Sequence, residues 1–517
     1  MVFSTLPFRS TGTFPRPSRN IRGDRLILDT IYGGGPDATP ICYALSKYTT
    51  ETPEKLRLGR IVPPEKQKKN DGQKDIEAVK ENDTKAAEDA GTKTAEESDT
   101  TTKKEKDLPP LRDIARVDCI STNDDRLKQG SAQLRTALVA DARNDDNLFL
   151  SQFLALMHQF HNSVCAAIDD VNASGDAPGG KPLKNGYDKY IVARRLVTAA
   201  YRNIMVNDYL RKILNPEVRR HYLSVLSGRG RFLDDPGDAR MPLEFSHAAF
   251  RFGHSMVRGE YSINNVGNIG GPAIGSLFLK QALNASSGGK SPSKLPLLKG
   301  WLIAWSHFFA FDKDQLSKLN IEDVSAIANP QPSRKIIPSF VPDFEAIFPE
   351  GKNSSHDLAF RDLVRSIEAG SRSVGSLVEI IKQNMPESVW KNAPAMWASG
   401  STSHGLKHEI AQWLQQGKTE FTADEIERIS ADPPLLFFIL FEAQQGGGNR
   451  LGLIGSVIVA EVLFQSLAST SDLIEGDEPA RAWAGKIFHD FEMKEVWEIV
   501  AFIHKRYEYR NGEPKFI

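Results

Sequence analysis

The chain has 517 residues, 40% hydrophobic and 25% charged, which is ample for a large buried core and is the ordinary balance of a soluble globular protein. A formal net charge of -1 argues against a dedicated nucleic-acid binder, which needs a basic surface to neutralise phosphates. Three cysteines, Cys42, Cys119 and Cys165, are too few for a disulfide framework and match no zinc spacing.

The N-terminal stretch MVFSTLPFRSTGTFPRPSRNIRGDR has no apolar run long enough for a signal peptide. Gly33, Gly34, Gly35 and Pro36 follow as a loop; no phosphate-binding glycine motif is present. From Pro63 to about Lys106 the chain lacks aromatic residues and any sustained apolar face. Such a segment cannot bury enough surface to offset the entropy of ordering it, so a disordered charged insertion is expected over 63–107. The expected organisation is an N-terminal extended or loop segment at 1–62, that insertion, and a helical body at 108–517. Shorter polar loops are expected at 172–186 and 284–294.

Helical periodicity dominates the rest. Residues 147–171 keep an apolar face for six turns, and 189–214 do the same, with Arg194, Arg195 and Arg202 available to face outward or grip anions. Ahead of the first of these helices stands DARNDDN (141–147). Either Asp145 and Asp146 are simply favoured there by the helix dipole as N-terminal caps, or Arg143 acts as a fixed cation that polarises a bound oxygen species. Two histidines follow in HQFHN (158–162), read as packing and hydrogen-bonding groups because further metal ligands are missing. In EFSHAAFRFGHSMVR (244–258), helical spacing puts Phe245, Ala248, Ala249 and Phe252 on one flank, and His247 nearly in line with His254. Small neighbours at Gly253 and Ser255 leave room for something flat. His254 is therefore either a core histidine satisfied by a hydrogen bond or an axial ligand to a planar cofactor.

Residues 357–384 supply further helix, and 422–429 open with Thr422 as a cap. His404 and His408 stand four apart at what reads as a polar helix start. The apolar runs at 433–443 and 451–467 read as buried core helices joined by QQGGGNRLG. The first is too short to span a bilayer and the second carries Glu461, so no membrane span is expected and the default compartment is the cytoplasm. No series of alternating strands appears, and no G-x-S-x-G elbow supports hydrolase chemistry. The fold class is mainly α, one large helical domain with a disordered insertion.

Five of these segments, in order, resemble the animal-type haem peroxidases of the peroxidase–cyclooxygenase superfamily, especially their bacterial and fungal members. They are LDTIYGGGP (28–36), ADARNDDNLFLSQFLALMHQFHN (140–162), ARRLVTAAYRNIMVNDYL (193–210), MPLEFSHAAFRFGHSMVR (241–258) and the helix pair at 435–467. The resemblance implies a haem-peroxidase-like helical domain holding haem b. His254 would be the proximal ligand of the haem iron, pushing electron density toward it. Arg143 would be the distal catalytic arginine, and Asp146 would take the position of the acid that in some relatives is ester-linked to the haem. His161 and Asn162 would be structural. The implied partners are H2O2 and a small organic donor.

Three departures accompany the resemblance. The family's distal histidine lies upstream of the 28–36 loop, and no histidine precedes that loop here. The calcium loop is thinned, with Gly23 and Ile27 where relatives carry oxygen-bearing side chains, although Asp29 remains; the case for calcium is weakened accordingly. An ungapped match places Trp397 where relatives carry an asparagine that orients the proximal histidine. The leading expectation is a haem peroxidase. The alternatives are a degenerate haem-binding or haemless pseudoperoxidase acting as a binding protein, a peroxidase truncated at a downstream start codon, and a fatty-acid dioxygenase.

Overall fold

A computed structural model describes residues 26–44, 53–61, 111–118, 135–224, 241–264, 276–278, 297, 301–318, 321, 330–342, 358–391, 405–417, 420–468, 478–507 and 516. The expected insertion at 63–107, the 284–294 loop, Gly23, Cys119, Trp397 and His404 lie outside these residues.

Strand structure is confined to three antiparallel ribbons among the described residues: β1 (Leu58–Arg60) with β2 (Leu111–Ile114), β3 (Arg116–Asp118) with β4 (Arg135–Ala137), and β5 (Glu260–Ser262) with β6 (Ser276–Phe278). Helices carry the rest, so the chain is mainly α. In chain order the longer ones are α1 (Leu148–Ala173), α2 (Gly186–Ile204), α3 (Pro216–Ser224), α4 (Leu358–Glu368), α5 (Val374–Asn384), α6 (Leu406–Gln416), α7 (Ala423–Ala431), α8 (Leu435–Gln445), α9 (Leu453–Ala468), α10 (Glu478–Ile487) and α11 (Val496–Arg506). None of the described helices is long and apolar enough to cross a membrane.

Two apolar cores organise them. The first gathers α1, α2, α10 and α11 with the 28–61 segment, and the second gathers α5, α6, α8 and α9 with residues 245–252. Tyr201 of α2 packs against both. Helix α1 is buried on nearly every side, so its polar residues must find partners within the protein. They bond to the backbone of neighbouring segments. Gln152 donates to Trp301 O and accepts from Ile303 N, and Gln159 donates to Leu111 O. Asn162 pairs with both the N–H and the carbonyl of Leu56, at 2.8 and 2.9 Å, standing in for a neighbouring strand.

Helices α8 and α9 are the expected buried pair. Gly455 lets them approach, since a Cβ there would lie 2.8 Å from Ile439 Cγ2. Glu442, buried on α8, accepts the N–H groups of Ile454 and Gly455 and so caps the first turn of α9. Thr422 and Glu425 form the expected reciprocal cap of α7.

Several expectations need correction. The stretch over 244–258 is not one regular α-helix: a π-turn covers Glu244–Ala248 and a 3-10 helix covers Ala249–Met256. Ala248, at φ -128 and ψ -79, leaves helical geometry at the junction, so the in-line placement of His247 and His254 does not hold. The apolar flank survives, with Phe245, Ala248, Ala249 and Phe252 all buried. Helix 189–214 is interrupted by a π-turn at Met205–Tyr209. Residues 357–384 break into α4 and α5 at Gly370, whose φ of +67 favours glycine. The cap of α1 is Asn147, accepting from Phe149 N and Leu150 N, rather than Asp145 or Asp146. Of the three arginines on α2, Arg194 lies over the Tyr32 ring and Arg202 is buried, bonding Leu26 O; only Arg195 is exposed.

Candidate functional site

Arg143 sits on a short 3-10 turn, Ala142–Asp145, just ahead of α1. Asp141 opens this turn in extended geometry and binds Arg143 three times: its backbone N–H at 3.0 Å, its Nε at 2.8 Å and its Nη2 at 2.5 Å. One carboxylate thus fixes both the main chain and the guanidinium. These hydrogen bonds, with the charges of Asp141, Asp146 and Asp29, hold the guanidinium above its already high range. The turn is anchored on two further sides. Asn144 donates to Thr30 O at 2.7 Å, and Asp145 takes both guanidinium nitrogens of the buried Arg116, at 2.8 and 2.7 Å. Asp146 is exposed beside Arg143. Desolvation raises its carboxyl pKa, the charges of Asp141 and Asp145 add to that, and Arg143 opposes it.

The histidines of α1 face a different neighbourhood. His161 receives the Tyr32 hydroxyl at Nδ1, 3.0 Å, and donates from Nε2 to Glu54 O at 2.8 Å. A carbonyl only accepts, so the tautomer is the one protonated at Nε2. His158 Nδ1 lies 3.0 Å from Arg57 O and its Nε2 is buried without a partner. Burial pushes both imidazoles down to about 4. Among the described residues no group of three or more His, Cys, Asp or Glu side chains is arranged to hold a bare metal ion.

His254 lies on the 3-10 turn Ala249–Met256. Phe252 and Ser255 anchor that turn inward, and Ser255 Oγ donates back to Phe252 O at 2.7 Å. The His254 side chain is 38% exposed, while its Nδ1 donates to Asp362, a carboxylate only 1% exposed. The other oxygen of Asp362 takes the guanidinium of Arg251, one turn earlier. Phe340 meets the His254 ring edge-on at 6.1 Å between centroids. A Cβ added at Gly253 would meet nothing within 4 Å, so there is open space beside the histidine. His247 is turned to Ser246 Oγ, 2.9 Å, and its imidazole is held down by burial and by Arg251 and Arg365.

Arg143 and Asp146 are therefore brought together, with Asp29 and Asp141, at the start of α1 in the first core. His254 stands on the second core with Arg251 and Asp362. Sequence reasoning missed Asp141 and Asp362. Asp141 lies two residues from Arg143 and could have been found as a chelating neighbour. Asp362 is 108 residues from His254, and its only sequence signal is that it shares a helix face with Ser366.

The profile of the family described as animal haem peroxidase matches residues 85–371, more than half of the chain. That span includes Arg143, Asp146, His254 and Asp362, and excludes the 28–36 loop and the helix pair α8–α9. Thyroid peroxidase from Canis lupus familiaris is 29% identical over 150 residues, 29% of this chain and 14% of that protein. Human myeloperoxidase is 27% identical over 151 residues, 29% of this chain and 18% of that protein. The chain thus matches less than a fifth of the length of these curated relatives. Among solved structures, peroxidase A from Dictyostelium discoideum aligns at 16% identity and a TM-score of 0.37, covering 72% of this chain and 58% of that one.

Proposed function

The chain belongs to the animal haem peroxidase family, and from that premise we propose that it is a haem-dependent peroxidase that uses H2O2 to oxidise a small organic donor. In this reading His254 would hold the haem iron and Arg143 would be the distal arginine, within one domain formed by both cores. The observation that carries it is the state of His254. Its ring is partly exposed beside open space at Gly253, yet one nitrogen is tied to a buried carboxylate. A histidine that only filled the core would be buried on both edges, as His161 is. An imidazole whose Nδ1 is held by an acceptor presents Nε2 for ligation, so these residues fit haem b.

Bound haem supplies an iron that exchanges electrons with peroxide. The chain's own residues do the rest. His254 would hold the iron and Asp362 would orient its ring. The guanidinium of Arg143, kept protonated by Asp141, would stabilise negative charge as it develops on a peroxide oxygen. Asp146 stands beside that cation with a raised carboxyl pKa, and is the group of this cluster suited to carry the peroxide proton. Calcium has no part in this reading.

A second reading, a haem-binding protein without turnover, is favoured by the engagement of Arg143 with Asp141, which must loosen for the cation to reach a peroxide oxygen. Titration with haemin, then peroxide and a phenolic donor, separates the two. The peroxidase gives a stoichiometric Soret band and catalytic consumption of donor. A haem that binds but is only bleached supports the binding protein. His254→Ala is expected to abolish or change iron ligation, whereas Arg143→Ala is expected to retain haem and slow the reaction with peroxide by about 10²–10³-fold. An unchanged haem spectrum in His254→Ala removes the assignment.

A further inference from the structure

We propose that Asp362 is the positioning residue of the proximal histidine: its buried carboxylate accepts the Nδ1 proton of His254 while Arg251 holds its second oxygen, so that the ring presents Nε2 for ligation. The inference rests on the haem reading of His254 and deepens it.

Helix α4 itself gives an independent reason. Its residues include Phe360, Leu363, Val364 and Ile367, an apolar stripe that the hydrophobic effect alone would turn inward. The observed orientation follows it only in part. Asp362 and Ser366 are 1% exposed and Leu363 and Val364 are half-buried, while Phe360 and Ile367 are 45% and 57% exposed. A buried carboxylate is costly unless paired, and partial exposure of two large apolar side chains forfeits further burial. What the docked face gains is the pair of bonds from Asp362 to His254 and Arg251. An ion pair with Arg251 alone would occupy one oxygen; the second is spent on the histidine.

The chemistry differs from that of the amide orienter expected of the family. A carboxylate is the stronger acceptor, makes the imidazole more basic, and so favours the ferric over the ferrous iron. Arg251 holds the second oxygen of the acceptor and fixes its rotamer. The orienting role of the asparagine that ungapped matching replaces with Trp397 passes to Asp362.

The full chain, Asp362→Asn and Asp362→Leu are each titrated with haemin. Resonance Raman of the ferrous form then reads the iron–histidine stretch, and spectroelectrochemistry reads the haem reduction potential. Asn keeps an acceptor oxygen and removes the charge, so it should retain haemin affinity within about tenfold, lower the stretching frequency and raise the potential. Leu should weaken haemin binding by about 10–100-fold and move both spectroscopic readouts further. If Leu fails to fold, by circular dichroism, the Asn variant carries the test. A histidine-ligated haem whose stretch and potential are identical in wild type and Asn reduces Asp362 to a structural partner of Arg251 and overturns the proposal. If wild type takes up no haemin, or His254→Ala leaves ligation unchanged, the haem reading falls and the positioning role falls with it. In the haem-free protein, loss of the downfield His254 Nδ1–H resonance in Asp362→Leu confirms the bond separately, and its persistence refutes it.

Discussion

Acid should destabilise this protein through His161, and the size of the effect follows from its surroundings. The imidazole is fully buried, neutral, and satisfied at both nitrogens by Tyr32 and Glu54. Protonation would put a second N–H against the Tyr32 hydroxyl and a charge where water cannot reach, which is why its pKa falls from 6.5 to about 4. Between those values the unfolded chain binds a proton that the folded protein refuses. Stability is therefore fully present above pH 6.5 and is lost as pH falls toward 4, by about 3 kcal/mol for this one group. The perturbation is His161→Gln, with urea unfolding of both proteins at pH 7, 6, 5 and 4. The lost contacts cost the same at every pH, so only the pH-dependent part of the difference reports protonation. The variant should be more destabilised at pH 7 than at pH 4 by about 3 kcal/mol. All other titrating groups cancel in the difference. A destabilisation that is the same at all four pH values would show that His161 is not held neutral by burial, and the reasoning fails.

Glu442 should act with the opposite sign, because burial raises its carboxyl to about 7 despite the N–H groups it accepts. Its contribution is present below pH 4.5 and lost as pH rises through 7, so Glu442→Gln should gain stability relative to wild type between pH 5 and pH 8, read from urea midpoints. Gly452→Ala would place a Cβ 2.1 Å from Glu442 Cγ; a loss of about 1–3 kcal/mol is expected in thermal unfolding. Arg116→Ala strips the shared partner from Asp113 and Asp145, the first of them buried, and should cost about 3–5 kcal/mol by the same measurement. Asn162→Ala removes both bonds to the Leu56 backbone and should cost about 1–3 kcal/mol.

Much of the scaffold was legible in the residues. Side-chain period reports local geometry, and a helix whose apolar positions recur on one face or all round is written in consecutive residues. This is why α1, α2, the capped α7 and the buried pair α8–α9 could be placed, and why the ordered motifs around Arg143 and His254 point to the family. Local irregularities were less legible. The π-turns at 205–209 and 244–248 depart from the 3.6-residue period within otherwise periodic stretches, and the break at Gly370 follows from one residue's positive φ. Least legible was the chemistry that joins elements. The sequence determined that a histidine flanked by small residues would stand on an apolar segment; only the tertiary structure decided that Asp362 would reach it, because α4 docks with its polar face inward and its phenylalanine outward. A carboxylate acquires its partner, and with it its role, from where its helix is held in space, and no period along the chain encodes that placement.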